Sequence, residues 1–371
     1  MLRQTREWVE INSYTDNVAG VDAVGEILAA AFALPGLSHE VLPGTPHGGH
    51  HVWRTAAAGP KILLVGHHDT VFPPGHFEGW REQDGRAVGP GALDMKGGLA
   101  IVHAVLATLA DASVLSALPL AVVSVSDEEI GSPTSRPHLE TLSKGAACAL
   151  VFESGRVADA IVTRRRGTGV LRVRATGRAA HAGNAHKEGA NAIWALARFV
   201  DLAQRLTDYS RGVTVNVGTI TGGTSKNTVP ARADCAVDLR FESVADASTL
   251  LTAVRAAADE AAAAVPGTTL VVEGGVSRLP MERTDASAAL YREYAECQRA
   301  CGLGDAEAPL IGGGSDANTV SAVGVPAIDG LGPRGAGFHT LTEYVELSSF
   351  VPKAQALLRF LWGRLRSAES P

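Results

Sequence analysis

The sequence has little of what marks a stapled, nucleic-acid-binding or membrane-spanning protein. Only four cysteines (Cys148, Cys235, Cys297, Cys301) occur in 371 residues, and no two of them form a CxxC pair. That excludes a secreted disulfide framework and a cysteine-based structural zinc module. Charged residues make up 19% and the net charge is −6, so there is no surplus of Lys and Arg to hold a polyanion, and nucleic acid is excluded as a partner. No apolar run reaches the ~20 residues that cross a bilayer. The longest helical one, residues 99–110, is bounded by Lys96 and Asp111 and reads as a buried core helix, with no membrane contact. The first residues carry no apolar stretch after their charges, so the expectation is a soluble, cytoplasmic protein. Aromatics are scarce at 5%, but 46% of residues are hydrophobic, ample to offset ordering entropy and exclude disorder. The length suggests about two domains at roughly 150 residues each. Histidine is the residue present in unexplained number, at twelve.

Short apolar runs alternate with helical patterns in the first part of the chain. Residues 61–66, 118–126 and 147–152 read as buried, mostly parallel strands of an α/β sheet. Each is followed at once by potential chemistry: His67-His68-Asp69, Asp127-Glu128-Glu129 and Glu153. Functional groups of open α/β sheets gather at the carboxyl ends of strands, so this coincidence points to a site. The character changes near Arg164. Residues 170–175 alternate Val or Leu with Arg, as a half-solvated antiparallel strand does. Residues 212–220 and 231–241 read as further strands, and 188–205 and 246–265 as helices. Together they predict a compact α+β insert, a two-layer sandwich over residues 168–276. This insert holds eleven basic and ten acidic residues, so the acidity belongs to the remainder. The α/β pattern resumes with a helix over 287–300, a strand over 325–328 and a final amphipathic helix from 346. The reading is a discontinuous catalytic domain, residues 1–167 and 277–371, with an inserted second domain.

Imidazoles and carboxylates recur at strand and turn ends: His67 and Asp69, then Asp94 in a glycine-rich turn entering a helix, Glu128 and Glu129, Glu153, and His339 in Gly337-Phe338-His339-Thr340. Mixed imidazole and carboxylate donors suit Zn²⁺, with Mn²⁺ or Co²⁺ as substitutes. One metal needs about three protein ligands, so five candidates match two metals sharing one carboxylate. Other features carry less. Gly312-Gly313-Gly314 is followed by no Lys-Ser/Thr and is not a phosphate loop. His47-Gly48-Gly49-His50-His51 reads as a solvated loop, His68 as pointing away from its neighbours, His103 as a core histidine, and Cys297 with Cys301 as a packing pair.

The motifs, in order, resemble those of the M20 family of metallopeptidases and, within it, the glutamate carboxypeptidase-like branch. The resemblance covers essentially the whole chain. It rests on Gly66-His67-His68-Asp69-Thr70-Val71, the turn from Gly89 to Gly98, Ser126-Asp127-Glu128-Glu129-Ile130-Gly131-Ser132, Phe152-Glu153, Ala180-His181-Ala182-Gly183, Asn227-Thr228-Val229-Pro230, Asp238-Leu239-Arg240, Gly312-Gly313-Gly314-Ser315-Asp316 and Phe338-His339.

The resemblance implies a zinc-exopeptidase-like catalytic domain with a mixed, mostly parallel sheet and an inserted lid and dimerisation domain. It implies two Zn²⁺ per subunit: Asp94 bridging, His67 and Glu153 on one metal, Glu129 and His339 on the other. Asp69 would fix the His67 imidazole, Glu128 would be the general base, and the Asp94-Met95 bond is a candidate for the cis form. His181 would stabilise the oxyanion in the partner subunit of a homodimer. Asn227, Arg240, Gly313 and Gly314 would seat a substrate carboxylate, with lid closure hinging near residues 167 and 276. The implied reaction is hydrolysis of an amide N-terminal to a residue with a free carboxylate. Deacylation of an N-acyl amino acid is the close alternative and a non-catalytic binding protein the remote one; the substrate is a small molecule or a dipeptide-like compound.

Overall fold

The computed structural model describes residues 1–368. The chain forms two compact units: residues 1–164, 283–311 and the described part from 315 onward make the first, residues 165–282 with 312–314 the second. The second unit thus begins before the expected 168 and ends after 276. Arg165 and Met281 exchange backbone hydrogen bonds of 3.1 and 3.0 Å, which prolongs the strand pairing past the expected limits. Arg165 Nη1 also donates to the Gly313 carbonyl at 3.1 Å, which gathers residues 312–314 into this unit.

The first unit is built on a six-stranded sheet in the order Ser38–Leu42, His50–Arg54, Leu120–Val125, Ile62–His67, Cys148–Val151, Ala327–Ile328. The last four strands run parallel and the first two pair antiparallel, so the sheet is mixed and mostly parallel. Ile62–His67, Leu120–Val125 and Cys148–Val151 are buried along their whole length. Continuous apolar runs are what strands covered on both faces require. The core gathers Leu64, Val122 and Leu150 from these strands with Leu99, Val102 and Leu106 of the helix Gly97–Asp111 and Phe350, Leu357 and Leu361 of the helix Phe350–Ala368. Chain direction therefore delivers His67, the Asp127–Glu129 segment and Glu153 to one end of the sheet.

His50 and His51 overturn the expectation of a solvated loop: they lie on the strand His50–Arg54 and are 1% and 5% exposed. Their imidazoles find partners inside. His50 contacts Ser126 Oγ at 3.0 Å and Thr134 Oγ1 at 3.0 Å, while His51 pairs with His39 at 3.0 Å over the Trp53 ring. His68, fully buried, turns to Ser124 Oγ of the neighbouring strand at 2.9 Å. His103 bonds the Ala31 carbonyl at 3.0 Å.

Gly98 fixes how closely the first core helix approaches the sheet. A Cβ there would stand 2.2 Å from the Phe152 carbonyl oxygen, which is backbone and cannot yield. Gly98→Ala is expected to cost about 1–3 kcal/mol through forced displacement and, by shifting the helix that follows Asp94, to weaken metal binding. Urea unfolding and metal titration of the variant check both.

The second unit holds a four-stranded antiparallel sheet, ordered Thr214–Gly222, Arg232–Phe241, Gly167–Thr176, Thr269–Arg278. Two helices, Ala192–Gln204 and Val244–Ala263, pack on it through Leu196, Phe199 and Val254, which meet Leu171, Val173, Leu239 and Phe241. Alternation along Gly167–Thr176 puts Leu171, Val173 and Ala175 inside and Arg172 and Arg174 outward. Both helices start at side-chain caps: Asn191 accepts from the Trp194 amide and Ser243 from the Asp246 amide.

Candidate metal centre

Seven of the predicted residues, His67, Asp69, Asp94, Glu128, Glu129, Glu153 and His339, converge in the first unit. His67 Nε2 lies 3.4 Å from Asp94 Oδ1 and 3.8 Å from Glu153 Oε1. His339 Nε2 lies 3.4 Å from Asp94 Oδ2 and 3.0 Å from Glu129 Oε2. Asp94 therefore offers one oxygen to each imidazole. Two donor groups result, His67–Glu128–Glu153 and Asp94–Glu129–His339, each with its ligand atoms within 4.8 Å of one another.

Local structure explains the convergence. The turn Ala92–Lys96 leaves helical geometry at Asp94 (φ −118°, ψ 89°), and the Asp94–Met95 peptide bond is cis. Glu128 and Glu129 open a short helical turn, Glu128–Ile130, whose first amides need acceptors. Asp69 supplies them: its carboxylate accepts from the amides of Glu128 and Glu129, each at 3.2 Å, and from Thr15 Oγ1 at 2.8 Å. Asp69 also receives the other side of His67, with Nδ1 at 3.1 Å from its carbonyl oxygen and 3.2 Å from its carboxylate. That pairing keeps a proton on Nδ1, so that in the neutral, metal-binding form of the ring the Nε2 lone pair faces Asp94 and Glu153. His339 is held differently, on a loop with φ +62°, its ring edge-on to Phe338 at 5.5 Å.

The electrostatics are those of a site short of positive charge. Burial drives the Glu129 carboxyl up to about 7, helped by the Asp94 charge, and drives Glu153 well above the usual range for the same two reasons. Hydrogen bonds to Asp94 and Glu129 push His339 up to about 10. Burial alone would lower His67, but the carboxylates of Asp69, Asp94 and Glu153 outweigh it and hold it well up. Asp94 is held low by His339 and His67, against its burial.

The donors fit a pair of divalent cations. Among the described residues, His67 Nε2 and Asp94 Oδ1 are buried polar atoms with no hydrogen-bond partner, and such atoms are costly unless something coordinates them. Three carboxylates and two imidazoles, with no thiolate, match zinc, cobalt or manganese. Metals bind the deprotonated ligands, whereas the upward shifts of His67, His339, Glu129 and Glu153 favour their protonated forms. Loading is therefore expected to release protons at pH 7, and affinity to rise as pH climbs from 6 towards 9. Calorimetry in buffers of different ionisation heat checks the sign; proton uptake, or affinity that falls with pH, would contradict it.

The remaining predicted residues belong to the second unit. His181 closes the short strand Ala180–His181, paired with Thr228–Val229, so Asn227 adjoins it and accepts at its carbonyl from the Ala182 amide at 2.9 Å. His181 Nδ1 accepts from the amides of Gly183 and Asn184 at 3.1 and 3.0 Å, which makes Nε2 the donor of the neutral ring. Arg240 is engaged by Asp238, Nε to Oδ1 at 2.8 Å and Nη2 to Oδ2 at 2.9 Å, leaving the rest of its guanidinium fork available. Gly313 contributes its carbonyl to Arg165.

Sequence reasoning missed two groups here. Glu343 is fully buried and accepts from the amides of Leu93 and Asp94; burial and the Asp94 charge raise its carboxyl to about 8. Lys96, also buried, donates to the Ile11 carbonyl at 3.2 Å and is lowered to about 7 by burial, against the pull of Glu343 and Asp69.

Two donor clusters sharing one carboxylate, at the carboxyl end of a mostly parallel sheet, are the arrangement expected of a metallohydrolase centre. The profile of Peptidase family M20/M25/M40 matches residues 63–363, and the chain belongs to that family. It is similar to carboxypeptidase G2 of Pseudomonas sp. (strain RS-16), 27% identical over 94% of this chain and 85% of that one. It is also similar to succinyl-diaminopimelate desuccinylase of Methylobacterium nodulans, 31% identical over 62% of this chain and 63% of the other. Among solved structures it resembles the YXEP protein of Bacillus subtilis, described as a dinuclear metal-binding peptidase of the M20 family (TM-score 0.72, 14% identity, 99% of this chain and 97% of that one). The protein is an M20-type hydrolase.

Proposed function

We propose that this hydrolase binds two Zn²⁺ ions and cleaves an amide bond N-terminal to a residue with a free carboxylate, releasing a C-terminal amino acid. The observation that carries the reading is Asp94 shared between two ligand groups, with Glu128 beside one of them. The cations would be held by His67, Glu153 and Asp94 on one side and by Glu129, His339 and Asp94 on the other. Bound there, they would supply Lewis acidity, lowering the pKa of the attacking water and polarising the scissile carbonyl. Glu128 takes the proton of that water and returns it to the departing amine. Asp69 holds the His67 ring and, through two amides, the backbone of Glu128 and Glu129. His181 donates from Nε2 to the developing oxyanion.

Substrate selection falls to Asn227, Arg240 and the backbone of Gly313 and Gly314. Asp238 orients the Arg240 guanidinium while its unpaired N–H groups meet the substrate carboxylate. Arg240→Ala is expected to raise KM by roughly 10–100-fold, the worth of one charge-assisted hydrogen bond, with a smaller effect on kcat. Steady-state kinetics checks it, and an unchanged KM would remove Arg240 from the anchor.

Likeness to carboxypeptidase G2 over most of the chain supports the carboxypeptidase reading. Likeness to a desuccinylase supports N-acyl-amino-acid deacylation as the second reading. Mass spectrometry on a panel varied separately at the acyl and C-terminal positions separates them: a peptidase tolerates aminoacyl groups, a deacylase only simple acyl groups. We further propose a homodimer through the second unit, with His181 serving the opposite protomer. The edge strand Thr214–Gly222 and the exposed Ile193, Trp194 and Ile220 support it. A monomer by analytical ultracentrifugation would contradict it.

A further inference from the structure

We propose that Glu343 is a positioning residue: it registers the loop that carries His339 against the turn that carries Asp94, and so sets the second metal position. The inference rests on the two-metal reading above. The turn Ala92–Lys96 departs from helical geometry at Asp94, and the buried amides of Leu93 and Asp94 need an acceptor from elsewhere. Glu343 Oε1 is that acceptor, at 2.8 and 3.1 Å. The side chain is 0% exposed, and the Gly91 amide of the same turn also acts on its carboxyl. A carboxylate placed so deep is costly unless the groups it binds must be held.

What it holds is the geometry of one ligand pair. Glu343 closes the loop that begins at Gly337: its amide donates to the Thr340 carbonyl at 3.2 Å, and its own carbonyl accepts from Gly89 at 3.4 Å. The same residue thus grips the Gly89–Asp94 turn through both side chain and backbone. His339, four positions earlier, presents Nε2 to Asp94 Oδ2 at 3.4 Å and to Glu129 Oε2 at 3.0 Å. Whereas the His67 ring is backed by the Asp69 carboxylate, the His339 ring packs edge-on against Phe338. The orientation of His339 towards Asp94 therefore depends on the loop, and the loop depends on Glu343.

The test is titration of the metal-free protein with Co²⁺, following visible absorption and stoichiometry, which reads coordination rather than turnover. In Glu343→Leu the first cobalt binds as in wild type, and the second binds roughly 10–100-fold more weakly, the usual cost of losing an outer-shell partner, with an altered spectrum. Glu343→Gln keeps the accepting oxygen and restores both. Wild-type affinity and spectrum for the second cobalt in Glu343→Leu would overturn the inference, and so would a Gln variant as weak as the Leu variant. If Glu343→Leu fails to fold, Glu343→Asp carries the test, because it withdraws the oxygen by one methylene. Weakened second-site binding in folded Glu343→Asp supports the inference, and wild-type binding overturns it. Fewer than two cobalt ions on the wild type overturns the two-metal reading and the inference with it.

Discussion

Glu128→Ala is expected to bind two metal ions as tightly as wild type while losing about 10²–10⁴ of kcat, the usual worth of a positioned general base. Glu128 sits in the His67–Glu153 cluster, yet the ring of five ligands is complete without it: His67, Glu153 and Asp94 on one side, Asp94, Glu129 and His339 on the other. Its backbone amide is tied to Asp69, and that tie survives truncation of the side chain, so the neighbouring Glu129 should stay in place. KM should change little, because Glu128 makes no contact assigned to the substrate's carboxylate. Metal analysis beside steady-state kinetics checks the pair of outcomes. Near-wild-type turnover would remove Glu128 from the proton transfer. Loss of a metal would instead make it a ligand, which its place in the cluster permits geometrically.

Asp94→Ala should have the opposite signature. One carboxylate serves both clusters, so its removal is expected to lower metal content at stoichiometric loading to below two and to abolish measurable hydrolysis. Losing a metal-derived term of several kcal/mol corresponds to roughly a thousandfold or more in rate. The protein should remain folded. The turn around Asp94 is held by its backbone amide to Glu343 and by Met95 Sδ against the His67 amide at 3.2 Å, contacts that do not use the Asp94 carboxylate. Elemental analysis, circular dichroism and kinetics on one preparation decide it. Two tightly bound metals in this variant would contradict the bridging role.

Much of this arrangement is legible in the sequence because burial on both faces forces continuous apolar runs. Residues 62–67, 120–125 and 148–151 are such runs, and each ends in the side chains that meet at the site. Strict alternation likewise exposes Gly167–Thr176 as a strand of a one-sided sheet. His50–Arg54 escapes the same reading because histidine counts as polar until its partners are known; Ser126, Thr134 and His39 make burial tolerable. Strands of two or three residues, such as Gly335–Ala336 and Tyr344–Glu346, are too short to carry a period, although they frame the His339 loop. Glu343 is the plainest case. Nothing in Thr342-Glu343-Tyr344 distinguishes a buried acceptor from a solvated carboxylate, since its partners are amides 249 and 250 residues away. Ligand residue types are readable from chemistry, while the groups that orient them depend on contacts that only the fold creates.

The most direct test of the central claim is release of the C-terminal amino acid by the zinc-loaded protein, measured by mass spectrometry on matched substrates. Each N-acyl amino acid or dipeptide would be supplied both as the free acid and as its C-terminal carboxamide. The account predicts hydrolysis of free acids that depends on added zinc, is lost on chelation and falls steeply for the carboxamides. Equal cleavage of acid and carboxamide, or no hydrolysis of any free acid by protein holding two zinc ions, would contradict it.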